Sequence, residues 1–307
     1  MGTWGTSLYS GDFAGDLRST IRAVVRLPYD ADRLADIVSE VERGAARNPD
    51  DEDHTTFWLV LGDQFARYGL KSDRVVATAL EIIDSGRDLA RQRTLGQSDA
   101  GVEKRRRMLA ELRDRLTKPP KPAARRLIKA PEPYLFDVGE LVAYPTCGGA
   151  SRNPYSADPQ RLKTYGPRGG EIWTQDGWGA AAIVERGRAF DYIAWYRPIV
   201  VRTGFLEHPS IAILQDAEWL LKLPGTCSRS HHRRIAFDRV GEVSVSLEKL
   251  KARLPAGRRW GSGVPNAISD ISIANRLAVM HPGAAPRPGQ LVERDDIVRL
   301  SDVTPTA

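Results

Sequence analysis

The first third of the chain has apolar residues at helical spacing. Apolar side chains recur every three or four residues, and Pro28 and Gly69 stand where two of these runs end. Asp30 and Ser72 precede the next runs and are suitable N-caps. The pattern predicts five helices with short connections, arranged as a helical bundle or as helical hairpins over residues 1–116.

The period of the apolar pattern changes to two after residue 134. Residues 136–144, 178–185 and 190–201 are predicted strands, and a hairpin turn at Arg186-Gly187-Arg188 joins the last two. Strand 190–201 is apolar on both faces, which predicts a central strand buried on both sides.

Shorter elements complete the second half. The pattern predicts a helix over 212–223, a hairpin of 234–237 with 242–245, and short helices over 247–253 and 270–279. The predicted fold class is therefore α+β. Its C-terminal domain is mainly antiparallel β, a partly open barrel or curled sheet with peripheral helices.

A proline-rich stretch separates the two halves. Residues 117–134 contain five prolines together with basic residues, which predicts a semi-rigid linker. The predicted organisation is a helical domain at 1–116, this linker, a β-rich domain at 135–254, and a Gly/Pro-rich C-terminal extension at 255–307 with one short helix.

Composition excludes several classes of protein. The chain has 307 residues, 41% of them hydrophobic, and no run approaches the roughly 20 apolar residues of a membrane span. Its first residues lack the basic and apolar regions of a signal peptide. Two cysteines cannot build a disulfide framework, so the sequence predicts a cytoplasmic protein. Because it has no run long enough for a membrane span, it also predicts a protein that does not contact a membrane.

The net charge of +6 is unevenly distributed. Residues 1–98 carry 12 Lys/Arg and 16 Asp/Glu (−4), residues 99–134 carry 11 and 5 (+6), and the remainder carries 22 and 18 (+4). Such asymmetry indicates either a solvated helix face with a soluble linker or a surface for nucleic acid or an acidic partner.

The opening residues Met-Gly-Thr-Trp-Gly-Thr-Ser-Leu-Tyr-Ser-Gly-Asp are similar to the start of a group of uncharacterised bacterial proteins that begin with a Gly-x-Trp-Gly motif. Segments Thr56-Phe57-Trp58-Leu59 and Lys104-Arg105-Arg106-Arg107 resemble later parts of the same group. The resemblance covers roughly residues 1–116. It implies a bacterial cytosolic protein with an immunity-like or conflict-system accessory role, and it carries over no catalytic residue.

The densest group of hydrogen-bond donors is Ser228-Arg229-Ser230-His231-His232-Arg233-Arg234. We expect a loop here that presents its side chains to solvent. Arginine forks and hydroxyls suit a phosphate or carboxylate, and two histidines would strengthen anion binding toward pH 6. A solvated loop without function is the alternative. The candidate binding residues are Arg229, His231, His232, Arg233 and Arg234.

Two catalytic or metal-binding interpretations are weak. Cys227 and Arg233 have the spacing of cysteine phosphatases, but no glycine between them lets the loop curl around a phosphate. Cys147, Cys227, His231 and His232 lack the closely spaced pairs typical of zinc sites. The sequence therefore predicts no catalytic residue, no metal ligand and no cofactor.

Two further groups of residues have structural interpretations. The acidic turn 50–53 precedes a helix whose N-terminus it stabilises, although it could also contact a basic partner. Trp173, Trp178, Trp195 and Tyr196 could stack on bases, but strand alternation sends them to different faces and favours core packing.

These observations predict a non-catalytic cytosolic binding protein, immunity-like, that acts on a protein partner. A nucleic-acid-binding protein that uses the basic segments 104–129 and 229–234 is the first alternative. An enzyme of unknown type is the second.

Overall fold

The computed structural model describes residues 5–119, 125–152, 174–252, 273–283 and 297–304. They form two compact units, one helical and one β-rich, which divide between Ala130 and Pro131. The fold is α+β with an antiparallel sheet that does not close, as the sequence predicts. Trp4 of the N-terminal motif and Trp173 lie outside the described residues.

The helical unit contains more helices than the five predicted. In its described part these are α1 (Asp12–Val24), α2 (Ala31–Val41), α3 (Arg43–Arg47), α4 (His54–Arg67), α5 (Asp73–Ser85), α6 (Arg87–Thr94) and α7 (Asp99–Thr117). The pattern missed α3 because it spans one turn only. It missed α6 because a glycine after an apolar run indicates only the end of a helix, whereas Gly86, with a left-handed φ of 71°, both ends α5 and begins α6.

Helix α4 forms the centre of this unit. It is buried from His54 through Phe65 and packs against α1, α3, α5 and α7. The indole of Trp58 is paired inside the core, since its Nε1 donates to the carbonyl oxygen of Ala46 at 3.2 Å. A helix buried on nearly every side is typical of the core of a bundle.

The end of the predicted linker packs on the helical unit. Arg125 Nε donates to the carbonyl oxygen of Val25 at 2.9 Å, and its Nη2 donates to those of Leu27 (2.6 Å) and Tyr29 (3.2 Å). Carbonyls at and after the end of a helix have no partner within the helix, so one guanidinium here satisfies three carbonyls of the segment that follows α1.

We expect Arg125→Met to lower the free energy of unfolding by about 2 kcal/mol, because three carbonyls lose a charged donor. Urea denaturation followed by far-UV circular dichroism measures the change. The control is Arg126→Met at the exposed neighbouring position. An equal loss in both variants would contradict this function of Arg125.

The β-rich unit is built on one antiparallel sheet. Its strands are β1 (Glu140–Cys147), β2 (Ala150–Ser151), β3 (Gly177–Ala189), β4 (Ile193–Val201), β5 (Trp219–Leu221), β6 (Gly225–Thr226), β7 (Asp238–Glu242) and β8 (Ile297–Val298). Their order in the sheet is β2-β1-β3-β4-β5-β8, and in addition β6 pairs with β4 and β7 with β1. All nine residues of β4 are buried, as its two-sided apolar pattern predicts.

The predicted turn between β3 and β4 is wrong. Residues 186–188 continue the ladder opposite β4, and the chain turns at Phe190 and Asp191, whose φ angles are 48° and 62°. Two successive left-handed residues match the twist of a hairpin without a glycine. Gly187 has another role, because a Cβ there would lie 2.6 Å from the Trp195 ring.

The predicted helix over 212–223 is also wrong in its second half. Helix α8 (Ile211–Asp216) ends early, and β5 then pairs with β4. Trp219 of β5 is fully buried, and its Nε1 donates to the carbonyl oxygen of Leu214 at 3.2 Å. Pairing with the central strand outweighs local helix preference here.

The remaining elements correct further boundaries. The predicted hairpin of 234–237 with 242–245 is absent from the described residues, where α9 (Arg229–Ile235) is followed by β7. The last helical elements are α10 (Leu247–Ala252), a 3₁₀ turn (Ile273–Arg276) and α11 (Leu300–Val303). Among the helices of the described ranges, none combines the length and apolar character that a membrane crossing requires.

Candidate functional site

The helical unit contains a groove of about 650 Å³ between α4, α5 and α7. It opens where α4 and α7 end and α5 begins. The apolar part of its wall consists mainly of five side chains: Phe65, Leu70, Val75, Val76 and Leu116. This volume lies within the range of pockets that bind ligands.

Four cations surround the apolar wall. Arg67, Lys71, Arg115 and Lys118 line the groove, and among the described residues no carboxylate belongs to the lining. All four side chains are exposed, and Lys71 lies 3.4 Å from the solvated carboxylate of Asp73. A wall that is apolar inside and cationic at its rim is complementary to an acidic ligand with apolar groups.

Asp63 anchors two of these cations from behind the groove. Its side chain is 1% exposed, and it accepts hydrogen bonds from Arg67 Nε at 2.7 Å and Arg115 Nη2 at 2.8 Å. The Tyr9 hydroxyl donates to the same carboxylate, and Gln64 Nε2 donates to the Tyr9 oxygen.

The charge state of this network follows from its contacts. Burial alone would raise the pKa of Asp63, but the hydrogen bonds from Tyr9 and Arg67 and the charges of Arg67 and Arg115 outweigh it, so that pKa lies below its ordinary value. Burial and the Asp63 carboxylate raise the pKa of Tyr9. Near pH 7 the phenol is therefore protonated and donates to an ionised carboxylate.

Helix α5 also directs its N-terminus toward the groove. Ser72 caps it by accepting from the backbone N–H of Val75 at 3.3 Å, and its hydroxyl donates to Asp32 at 2.6 Å. Both Ser72 and Val75 line the groove. The partial positive charge of a helix N-terminus adds to the potential of the four cations.

The donor cluster of residues 228–234 forms a helix, and the prediction of a loop is wrong. Ser228 caps α9 by accepting from the backbone N–H of His231. Arg229, Arg233 and Arg234 are exposed and have no ion pair among the described residues. The cluster therefore presents three arginines to solvent on one short helix.

The two histidines of this cluster are part of the packing of the β-rich unit. The His232 ring lies 5.0 Å from that of Phe136 and 5.3 Å from that of Phe237. Burial, together with the charge of Arg234, lowers the pKa of His231 to about 4. Burial lowers the pKa of His232 as well. The environment of His231 therefore disfavours the charged imidazole on which the expected strengthening of anion binding toward pH 6 depends.

We expect acidification to destabilise the β-rich unit. The pKa of His231 is lower in the folded state than in the unfolded state, so the unfolded state takes up the proton first and stability falls between about pH 6.5 and pH 4. His231→Gln should reduce the loss of stability between pH 7 and pH 5 by about 1 kcal/mol. Denaturation at both pH values measures this, and an unchanged pH dependence in the variant would contradict it.

Much of the charge of the basic segment 104–129 is used inside the helical unit. Arg105 is 4% exposed and forms a two-point ion pair with Asp88, both contacts at 2.8 Å. Arg113 pairs with Asp84, and Arg115 with Asp63. Carboxylates of residues 1–98 therefore pair with arginines of the segment that the sequence suggested as a nucleic-acid-binding surface.

The environment of Cys227 disfavours the thiolate that a cysteine phosphatase needs. Burial raises the pKa of Cys227 to about 12, the opposite of a phosphatase thiolate. Cys147 is also a free thiol. Within the described ranges, no three His, Cys, Asp or Glu side chains come together as metal ligands.

The acidic turn and the aromatic residues have local structural functions. Asp51 accepts from the backbone N–H of Asp53 at 2.8 Å, and Asp53 lies 3.4 Å from Arg91. Trp195 and Tyr196 are buried on opposite faces of β4, which agrees with the expectation of core packing.

Sequence reasoning missed the groove entirely. Its cations lie at the ends of α4 and α7 and in the connection after α4, where basic residues are also expected as partners of the helix dipole. Nothing local distinguishes them, since only the packing of three helices brings them together.

Comparisons with protein-family models, with curated proteins and with solved structures give no match to this chain. The resemblance of residues 1–116 to Gly-x-Trp-Gly proteins therefore stays a prediction.

Proposed function

We propose that this is a non-catalytic binding protein that takes an acidic, apolar segment of a partner protein into the groove between α4, α5 and α7. The observation that carries the proposal is the lining itself, in which, within the described part of the chain, four cations and no carboxylate surround an apolar wall. The apolar side chains supply the free energy of burial, and the cations select for acidic neighbours.

The occupant is an amphipathic helix. Such a segment buries side chains at helical spacing in an apolar groove and places its charged residues at the rim, where this groove has its cations. An immunity-like role fits this mode, because an inhibitor of a toxin acts by stable binding. The proposal requires no reaction at the groove.

The test uses a synthetic helical peptide of about four turns with Leu at helical spacing, Glu elsewhere and both ends blocked. Calorimetric titration into the full chain should show binding. Lys71→Glu with Lys118→Glu should weaken it at least about tenfold, because two attractions become repulsions.

The matched control is Arg22→Glu with Arg33→Glu, which makes the same change of net charge at exposed positions outside the groove lining. It should bind within about threefold of wild type. Equal weakening by both variants would show unspecific charge attraction and overturn the proposal.

Two other ligands serve as competing occupants. Anilinonaphthalene sulfonate is a small amphipathic anion, and its binding without peptide binding would replace the protein partner by a small molecule. A single-stranded oligonucleotide tests the nucleic-acid alternative. Tighter binding of that strand, lost on Arg229→Ala with Arg233→Ala, would move the function to α9.

A further inference from the structure

The groove contains a pair of guanidinium groups held by one carboxylate. Asp63 Oδ2 accepts from Arg67 of α4 at 2.7 Å, and its Oδ1 accepts from Arg115 of α7 at 2.8 Å. One buried side chain thus bridges two helices and fixes two arginines of the groove lining side by side.

Asp63 itself is not available to a ligand. Its side chain is 1% exposed, and besides both arginines it accepts from the Tyr9 hydroxyl, which Gln64 orients. The carboxylate is ionised near pH 7, because these donors hold its pKa below the ordinary value. It acts on the groove only through Arg67 and Arg115.

Both arginines keep donors for a ligand. Each uses one N–H on Asp63, while 56% of the Arg67 side chain and 39% of the Arg115 side chain are exposed. Two cations and one carboxylate leave a net charge of +1, which a single ligand carboxylate neutralises. Because the guanidinium groups are already ordered, binding loses less side-chain entropy than with free arginines.

We infer that Arg67 and Arg115 form a clamp for one carboxylate of the docked segment, and that Asp63 is the positioning residue of this clamp. The inference rests on the proposed function and adds the group that is recognised. That group is a Glu or Asp side chain, because Lys71 and Lys118 call for further carboxylates in the same segment, which one chain terminus does not supply.

The test measures discrimination between positions. The blocked Leu/Glu peptide is compared with variants in which each Glu in turn is replaced by Gln. With wild-type protein, replacement by Gln should weaken binding about tenfold at one peptide position and about threefold or less at every other position. We call the larger loss the position-specific cost. It arises because a bidentate contact between a carboxylate and the two arginines is stronger than the attraction of a carboxylate to an exposed cation at the rim.

Asp63→Asn keeps the shape but removes the bridging charge. In this variant we expect the loss of affinity at the sensitive peptide position to fall to about threefold or less. The overall affinity for the Leu/Glu peptide at low salt should not fall, because the net charge of the groove rises by one. A merely structural role of Asp63 would lower stability and leave the ranking of peptide positions unchanged.

Tyr9→Phe is the second variant and removes one donor without changing charge. It should lower the position-specific cost at least about twofold, and it carries the test if Asp63→Asn does not fold. Circular dichroism checks the fold of both variants. An unchanged cost in a folded variant overturns the inference.

Other outcomes distinguish a failure of the proposed function from a failure of the clamp. If the wild-type protein binds no peptide, the proposed function is wrong. If it binds the peptide but every Glu-to-Gln replacement weakens binding equally, only the inference of a clamp is wrong. A phosphoserine peptide bound about tenfold more tightly than its Glu counterpart would overturn carboxylate recognition. A larger gain from a free peptide C-terminus than from any Glu would overturn side-chain recognition.

Discussion

Replacing Arg105 by Met is expected to lower the free energy of unfolding by about 3–5 kcal/mol. Arg105 Nε and Nη2 each donate to the Asp88 carboxylate at 2.8 Å, and Asp88 is fully buried. Methionine fills much of the space but leaves a buried carboxylate without its cation, and that uncompensated charge accounts for most of the loss. Urea denaturation followed by far-UV circular dichroism measures it.

A control variant and a double variant test whether the loss comes from the unpaired charge of Asp88. Arg106→Met at the exposed neighbour, which pairs with Glu103 on the same face of α7, should change stability by less than about 0.5 kcal/mol. Adding Asp88→Leu to Arg105→Met should recover most of the loss, because the unpaired charge is gone. If Arg105→Met and Arg106→Met were equally mild, the ion pair would not support this core.

The second large effect is expected at Trp219, where replacement by Ala should lower stability by about 3–5 kcal/mol. The side chain is fully buried in the core of the β-rich unit, and its Nε1 donates to the carbonyl oxygen of Leu214. Removal leaves a large cavity, and the Leu214 carbonyl loses the shorter of its two hydrogen bonds, since the backbone N–H of Ala217 also donates to it at 3.4 Å.

The comparison is Trp178→Ala, a partly exposed indole of β3 whose ring lies 4.6 Å from that of His208. It should cost clearly less than Trp219→Ala, by at least about 1 kcal/mol. Denaturation followed by near-UV circular dichroism reports on the packing around both indoles. A smaller loss for Trp219→Ala would contradict the placement of β5 inside the sheet.

The apolar pattern predicted the fold class and the central strand, because a strand that is buried on both faces requires apolar side chains at successive positions. Except at Arg197, β4 is apolar at alternate and intervening positions alike, and all of it is buried. Boundaries failed where tertiary pairing decided the outcome. Residues 219–221 follow helical spacing in the sequence but become a strand, because β4 offers them a partner.

Arg105 shows a signal that was present and missed. The buried positions of α7 are Val102, Arg105, Leu109, Leu112 and Leu116, at alternating three- and four-residue spacing. Arg105 therefore lies on the apolar face of α7. A charged residue at a buried position indicates a buried partner of opposite charge. The identity of Asp88 as that partner depends on how α6 packs on α7 and is not encoded locally.

The groove could not be predicted from the sequence. Lys71 and Arg115 are distant along the chain, and each is unremarkable in its own segment. The nominated cluster on α9 was conspicuous because its residues are consecutive, whereas side chains brought together by folding leave no such mark.

Photo-crosslinking can locate a bound segment on the protein directly. The Leu/Glu peptide is prepared with a benzophenone on its apolar face, irradiated with the full chain and mapped by mass spectrometry. We expect crosslinks within residues 62–76 and 115–119, which contain the groove lining, and their loss in the Lys71→Glu, Lys118→Glu protein. Crosslinks concentrated instead on α9, or unchanged by the charge reversal, would contradict the proposed function.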